Sequence, residues 1–177
     1  MRLPDALQTT LGRKLFDWGG QVVEPQTSDI LPFDKWLYDV NPTWRWDWQH
    51  LKRVQWHLDK ITAGQCKRLM IFMPPRFGKS EQVTVRYPVW RLERNPAYRV
   101  MIGAYNSDLA ANFSSLARDV AIQRRLPIRE DHNRADDWKT TAGGGVRAVG
   151  VGKGATGFGA DLIVIDDPVR DQTEALE

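Results

Sequence analysis

The sequence predicts an α/β fold with a mostly parallel sheet, and three observations carry that prediction. "RLMIFM" (68–73), "YRVMIGAY" (98–105) and "DLIVIDD" (161–167) are short apolar runs of the kind that form strands buried on both faces. Segments with apolar residues at helical spacing separate them. Strand, helix, strand, helix, strand in chain order folds into a parallel sheet with helices packed on it.

Each element has its own local reason. Residues 1 to about 45 carry scattered proline and mixed charge and read as a loosely structured lead-in with one short helix; residues 46–177 form the main domain. Over 48–61, Leu51, Val54, Leu58 and Ile61 recur at helical spacing, and Gly64 is the expected C-cap. A second helix begins within "GKSEQV" and runs to about Glu93, where "NP" breaks it. A third is "SDLAANFSSLARDVAI", with Ser107 as candidate N-cap and Leu109, Phe113, Leu116 and Val120 on one face. The region 124–160 is rich in Arg and Gly, but Val146, Val149 and Val151 interrupt it, so turns and short strands are expected rather than a flexible linker.

Composition narrows the function classes. With 25 basic and 22 acidic residues the net charge is only +3, which permits contact with nucleic acid without arguing for it. Cys66 is the single cysteine, so neither a disulfide framework nor a cysteine zinc site is available. No apolar run approaches the roughly 18 residues of a membrane span, and the N-terminus lacks an apolar signal core. A soluble protein of the cytoplasm, without membrane contact, is expected. Five of eight tryptophans, Trp36, Trp44, Trp46, Trp48 and Trp56, fall within 21 residues. They read first as anchors of the N-terminal segment on the core, and second as stacking surfaces for bases.

The chemistry centres on "MPPRFGKSE". Gly78-Lys79-Ser80 matches the end of the phosphate-loop pattern G-x-x-x-x-G-K-[ST], although Met73 stands where the first glycine belongs. The tripeptide follows an apolar run and opens a helix, which is the setting that turns backbone N–H groups toward an anion. Pro74 and Pro75 would stiffen the loop in place of the missing glycine. Pro75, Arg76, Phe77, Gly78, Lys79, Ser80 and Glu81 are thus the candidate ATP-binding segment. Lys79 would reach the β- and γ-phosphates, Ser80 would join the Mg²⁺ shell, and Arg76 would place a cation at the γ-phosphate. Downstream, "LIVIDDP" puts Asp166 and Asp167 at the C-terminal end of a strand, where ligands bind in open α/β sheets. Asp166 is the candidate Mg²⁺ holder and Asp167 the carboxylate that would polarise an attacking water.

"RLMIFMPPRFGKSE", "YPVW", "LAANFSSLARDV" and "ATGFGADLIVIDDP" together resemble the ATPase domain of the large terminase subunit of tailed bacteriophages and prophages, over roughly two-thirds of the chain. That resemblance implies a RecA-like P-loop ATPase of the additional-strand, catalytic-glutamate type, using ATP and Mg²⁺ in the host cytoplasm. It also implies a homo-oligomeric ring moving double-stranded DNA at the portal protein, with a small terminase subunit as partner. Arg76, Gly78, Lys79 and Ser80 match the family's phosphate loop, and Asp166 and Asp167 match its acidic pair, with Asp in place of the usual catalytic Glu. "WQH" matches the adenine-side motif, giving Gln49 and His50 as candidates and Gln55 as a weaker one. His50 and His57 read otherwise as ordinary helix residues.

The sequence departs from that family at two places. Phe158 stands in "TGFGAD" where relatives often carry an arginine, leaving Arg147 and Arg118 as candidates for a trans-acting arginine. The chain ends ten residues after Asp167, so it reads as an N-terminal fragment without the coupling motif or the nuclease domain. An assembly module that binds nucleotide without turnover is the alternative function. A superfamily 2 helicase core fits less well, because "DDPV" lacks the expected Asp-Glu-x-Asp/His.

Overall fold

The computed structural model describes residues 15–16, 22–23, 30–152 and 157–169. A two-residue antiparallel pair, β1 (Leu15–Phe16) and β2 (Val22–Val23), precedes the helices α1 (Phe33–Val40) and α2 (Gln49–Thr62). A π-helical turn, Ser80–Arg86, runs straight into α3 (Tyr87–Arg94). Then come β3 (Arg99–Ala104), α4 (Ser107–Gln123), β4 (Ile128–Asn133), β5 (Asp137–Thr140), β6 (Gly145–Gly150) and β7 (Leu162–Ile165).

The α/β class is as expected, but the sheet is mixed. Its five strands run β4-β5-β6-β3-β7. β3 pairs in parallel with β6 and β7, whereas β4–β5 and β5–β6 are antiparallel. The Gly-rich region makes the difference, because its short turns link consecutive strands directly and a tight turn can only join antiparallel neighbours. Gly145 shows the closeness required: with φ +143°, a Cβ there would sit 2.1 Å from the Trp138 carbonyl oxygen.

None of the three apolar runs is a strand fully buried on both faces. Segment 68–73 belongs to no strand; Leu69, Ile71 and Met73 pack partly against the core while Met70 and Phe72 are exposed. β7 is a strand, yet an edge one, with Val164 buried and Ile163 and Ile165 exposed. A continuous apolar run marks burial on both faces only when strands or helices cover both faces, and among the described residues nothing pairs with the outer edge of β7. β3, an interior strand, comes nearest to expectation: Val100, Ile102 and Ala104 are fully buried on one face, while Arg99, Met101 and Gly103 on the other are only half-buried.

Helix packing explains the core. α1 places Phe33, Trp36, Leu37 and Val40 on one face at positions i, i+3, i+4 and i+7, and all four join the main core. This helix lies within the lead-in. α2 buries Leu51, Val54 and Leu58 as expected and is closed by Gly64 at φ +71°. α4 differs in two respects. Asn106, not Ser107, caps it, accepting the Leu109 N–H at 2.8 Å. Its buried stripe is Ala110, Ser114, Ala117, Val120 and Ala121, while Leu116 faces outward. Small side chains let α4 lie close on the sheet, where the Trp138 indole N–H reaches the Ser114 carbonyl at 3.2 Å.

Of the five clustered tryptophans, Trp36 and Trp46 are buried anchors, and Trp44, Trp48 and Trp56 stay exposed. Trp36 donates to Glu93 at 2.7 Å, and Arg124 grips the same carboxylate at 2.7 Å, joining α1, α3 and the end of α4. Among the described residues, no helix is long and apolar enough to cross a membrane.

Candidate functional site

The phosphate-loop segment turns sharply between Pro75 and Lys79. Arg76 has φ +66° and Gly78 φ +85°. The second of these favours glycine by its backbone alone, since a Cβ there would meet Leu51 and Trp44 only at ordinary contact distances of 3.4 to 3.8 Å. The Gly78 carbonyl accepts the Gln82 N–H at 3.0 Å, and the buried Gln82 amide donates to the Leu51 carbonyl at 3.3 Å. The loop is therefore seated on the start of α2.

The helix that follows begins with wide π-helical turns. Pro88 lacks the N–H that an α-helical bond to the Thr84 carbonyl would need, and the Tyr87 N–H reaches back five residues to Gln82. Within this turn Ser80 and Thr84 both donate to Asp166, Thr84 at 2.8 Å.

Four expected site residues come together here. Lys79 Nζ lies 2.8 Å from Asp166 Oδ1 and 2.9 Å from Asp167 Oδ1. Asp166 is 3% exposed and directly follows β7, its N–H bonded to the Gly103 carbonyl. Burial opposes its ionisation, but hydrogen bonds from Lys79, Ser80 and Thr84 outweigh that and hold its carboxyl below the usual range. Burial likewise works against the Lys79 ammonium, and the two carboxylates override it and raise its pKa. Asp167 adopts φ +46°, a conformation that Asp tolerates better than most residues, and its carbonyl accepts the Tyr105 N–H. That turn leaves its side chain 62% exposed beside the ammonium.

Other candidates are placed differently. Glu81 pairs with Arg86, whose guanidinium also lies 5.2 Å from the Trp46 ring and 5.5 Å from that of Trp44. Pro75 is exposed. Gln49 is exposed at the start of α2, and Gln55 donates to Asp59 within the same helix. His50 donates from Nε2 to the Phe77 carbonyl at 3.2 Å, with the two rings edge to face at 5.5 Å. Arg118 donates to the Asn133 carbonyl, and Arg147 is paired with Asp137 and lies over the Phe158 ring.

Beside the loop lies a cavity of about 300 Å³. Trp44, Trp48, Leu51, Phe77 and Gly78 line it, and Arg45, His50 and Arg76 supply its polar side chains. Arg76 makes no hydrogen bond or ion pair with the described residues. Thr84 was not among the expected site residues, and Trp44 was expected only as an anchor or a stacking surface. The spacing of Thr84, four residues after Ser80 on the same helix, was the available signal for it.

For Mg²⁺, the fit rests on Ser80 and Asp166, two hard oxygen donors meeting at one point. Magnesium bound with a nucleotide takes one or two such protein oxygens and fills the rest of its shell with phosphates and water. No group of three or more His, Cys, Asp or Glu able to hold a metal occurs among the described residues. Compared with known proteins, the chain matches no family model, no curated protein and no solved structure.

Proposed function

We propose that this chain is the ATP-hydrolysing module of a viral DNA-packaging motor of the terminase type, with a RecA-like P-loop fold. One observation carries the phosphate-loop part: Lys79, directly after Gly78, reaches both carboxylates at the end of β7. That juxtaposition joins two motifs 88 residues apart in one polar cluster. The terminase part, with its double-stranded DNA, portal, small-subunit and ring partners, rests on the series of sequence motifs.

In this reading Lys79 leaves the carboxylates for the β- and γ-phosphates when ATP binds. The N–H groups around Gly78 to Ser80 cradle the phosphate oxygens. Bound Mg²⁺ would neutralise developing charge on the phosphates, and Ser80 and Asp166 would hold it. Asp167, exposed and freed from Lys79, accepts a proton from the water that attacks the γ-phosphorus, while ADP departs with the electron pair of the broken bond. Arg76 offers a cation to the same phosphates, where it acts most strongly on transition-state charge.

A second reading, a nucleotide-binding module without appreciable turnover, is favoured by one observation. Arg118 and Arg147, the candidate trans-acting arginines, are both engaged within the fold. Calorimetry with Mg·ATP and steady-state hydrolysis with and without duplex DNA test both. Lys79→Ala is expected to abolish nucleotide binding; unchanged affinity would remove the phosphate-loop assignment. Binding without turnover, with DNA present, would select the second reading.

A further inference from the structure

The cavity beside the phosphate loop has a composition that decides which base it accepts. At about 300 Å³ it lies at the small end of ligand pockets, suited to one heterocycle rather than a whole nucleotide. Trp48 is 52% exposed and Phe77 50% exposed, so each offers aromatic surface to a ligand, with the Arg45 side chain lying over part of the Trp48 ring at 4.8 Å. Large exposed aromatics at a concave site are stacking surfaces, and a purine offers them more area than a pyrimidine.

The polar side chains of the lining do not tell one purine from the other. No Asn, Gln, Asp, Glu, Ser or Thr lines the cavity. Arg45 is a donor only; it is loosely paired with Asp47 at 3.5 Å and sits 4.8 Å from the Trp48 ring centre. Arg76, also a donor only, belongs to the loop and goes to the triphosphate in the proposed function. His50 spends its Nε2 proton on the Phe77 carbonyl, which leaves Nδ1 as the one side-chain nitrogen able to accept. The adenine N6 amino group and the guanine N1 and N2 groups can use that acceptor alike. Arg45 in turn suits guanine O6 and N7 at least as well as adenine N7. Sites that hydrogen-bond a distinguishing group reject its absence by about 10⁴-fold or more, whereas apolar pockets manage about 10²-fold or less.

We propose that this cavity is a purine pocket that holds its base by stacking on Trp48 and Phe77 and does not exclude guanine. The inference rests on the phosphate-loop reading above. It makes GTP as well as ATP a substrate class for the site.

Calorimetry on the whole chain, with Mg²⁺ complexes of ATP, GTP, CTP, UTP and inorganic tripolyphosphate, is the test. GTP is expected within about threefold of ATP, and both pyrimidine nucleotides about fivefold weaker or more. Trp48→Ala is expected to weaken both purine nucleotides by about tenfold and to leave tripolyphosphate unchanged. Because Trp48 is half exposed, a retained thermal midpoint shows that the variant is folded. ATP preferred over GTP by about thirtyfold or more would overturn the inference. So would equal affinity for all four bases, or purine affinity unmoved by Trp48→Ala. In each of those cases tripolyphosphate binding keeps the phosphate loop standing. If none of the five ligands binds, the phosphate-loop reading fails and the purine pocket fails with it.

Discussion

The Thr84 hydroxyl donates to Asp166 Oδ2 at 2.8 Å, linking the π-helical turn after the phosphate loop to the end of β7. Both residues are buried, at 1% and 3% exposure, so the bond cannot be replaced by water without opening the core. Thr84→Val keeps the shape and removes the donor. A hydrogen bond to a charged group contributes roughly 1.5–3 kcal/mol, and Lys79 and Ser80 remain to compensate in part, so a loss of about 1.5 kcal/mol is expected. Urea unfolding measures it. An unchanged midpoint would show that the bond contributes nothing.

The same cluster fixes a pH dependence. The Asp166 carboxyl is held below its ordinary value of 3.8, so its contribution is complete above that pH and is lost as pH falls through the lowered folded value. The Lys79 ammonium is held above its ordinary 10.5, so its contribution is complete below that pH and is lost as pH rises through the raised folded value. Asp166→Asn should therefore cost about 2 kcal/mol at neutral pH, since it removes one partner of a largely buried pair while Asp167 stays. The difference from the parent should shrink as pH falls through the lowered folded value. A gap that persists undiminished there would assign the loss to packing.

Much of this arrangement was legible in the sequence, for reasons that particular residues make plain. Lys79, Ser80, Asp166 and Asp167 meet because each sits at the end of a strand-like or helical segment whose apolar period is strong. The sheet was less legible. The run 68–73 is as apolar as β3, yet it leaves the outer edge of β7 unpaired among the described residues, because strand pairing is a long-range event that no local apolar pattern encodes. On α4, Leu116 has the better apolar signal, yet Ala110, Ser114 and Ala117 face the sheet because close approach favours small side chains. Arg86 carries a charge that composition assigns to the surface. It is buried because Glu81, Trp44 and Trp46 surround it.

That surrounding makes Arg86 a testable brace between the loop and the tryptophans. Its planar guanidinium faces both indoles and pairs with Glu81, which the compact ammonium of lysine cannot reproduce. Arg86→Lys should destabilise the fold by about 1–2 kcal/mol, and Arg86→Met should do no better because Glu81 is then left unpaired. Thermal unfolding checks both. Full stability in Arg86→Lys would reduce the brace to simple charge neutralisation.

Gly78 provides a backbone test of the loop. Its φ of +85° strains any side chain, although a methyl group there would meet Leu51 and Trp44 only in ordinary contact. Gly78→Ala should lose about 1–2 kcal/mol of stability and weaken triphosphate binding, since the N–H groups of the loop would turn away. Intact tripolyphosphate affinity by calorimetry would exclude this segment as the anion cradle.

Arg76 offers the sharpest separation of stability from function. It is exposed, lacks a hydrogen-bond or ion-pair partner among the described residues, and holds φ +66°, where a side chain costs about 1–2 kcal/mol relative to glycine. Strain of this kind persists at functional sites, where the residue contributes something other than stability. Arg76→Gly relieves the backbone while removing the cation, and it should leave the fold as stable or up to about 1 kcal/mol more stable. Hydrolysis should move the other way. A cation acting on charge that develops at the γ-phosphate lowers the barrier more than it tightens ground-state binding, so kcat should fall by about tenfold or more with KM little changed. The paired measurement is a urea titration and a steady-state rate on the same preparation. A rise in KM at constant kcat would make Arg76 a ground-state contact, and a destabilised Arg76→Gly would show that its conformation is supported rather than strained.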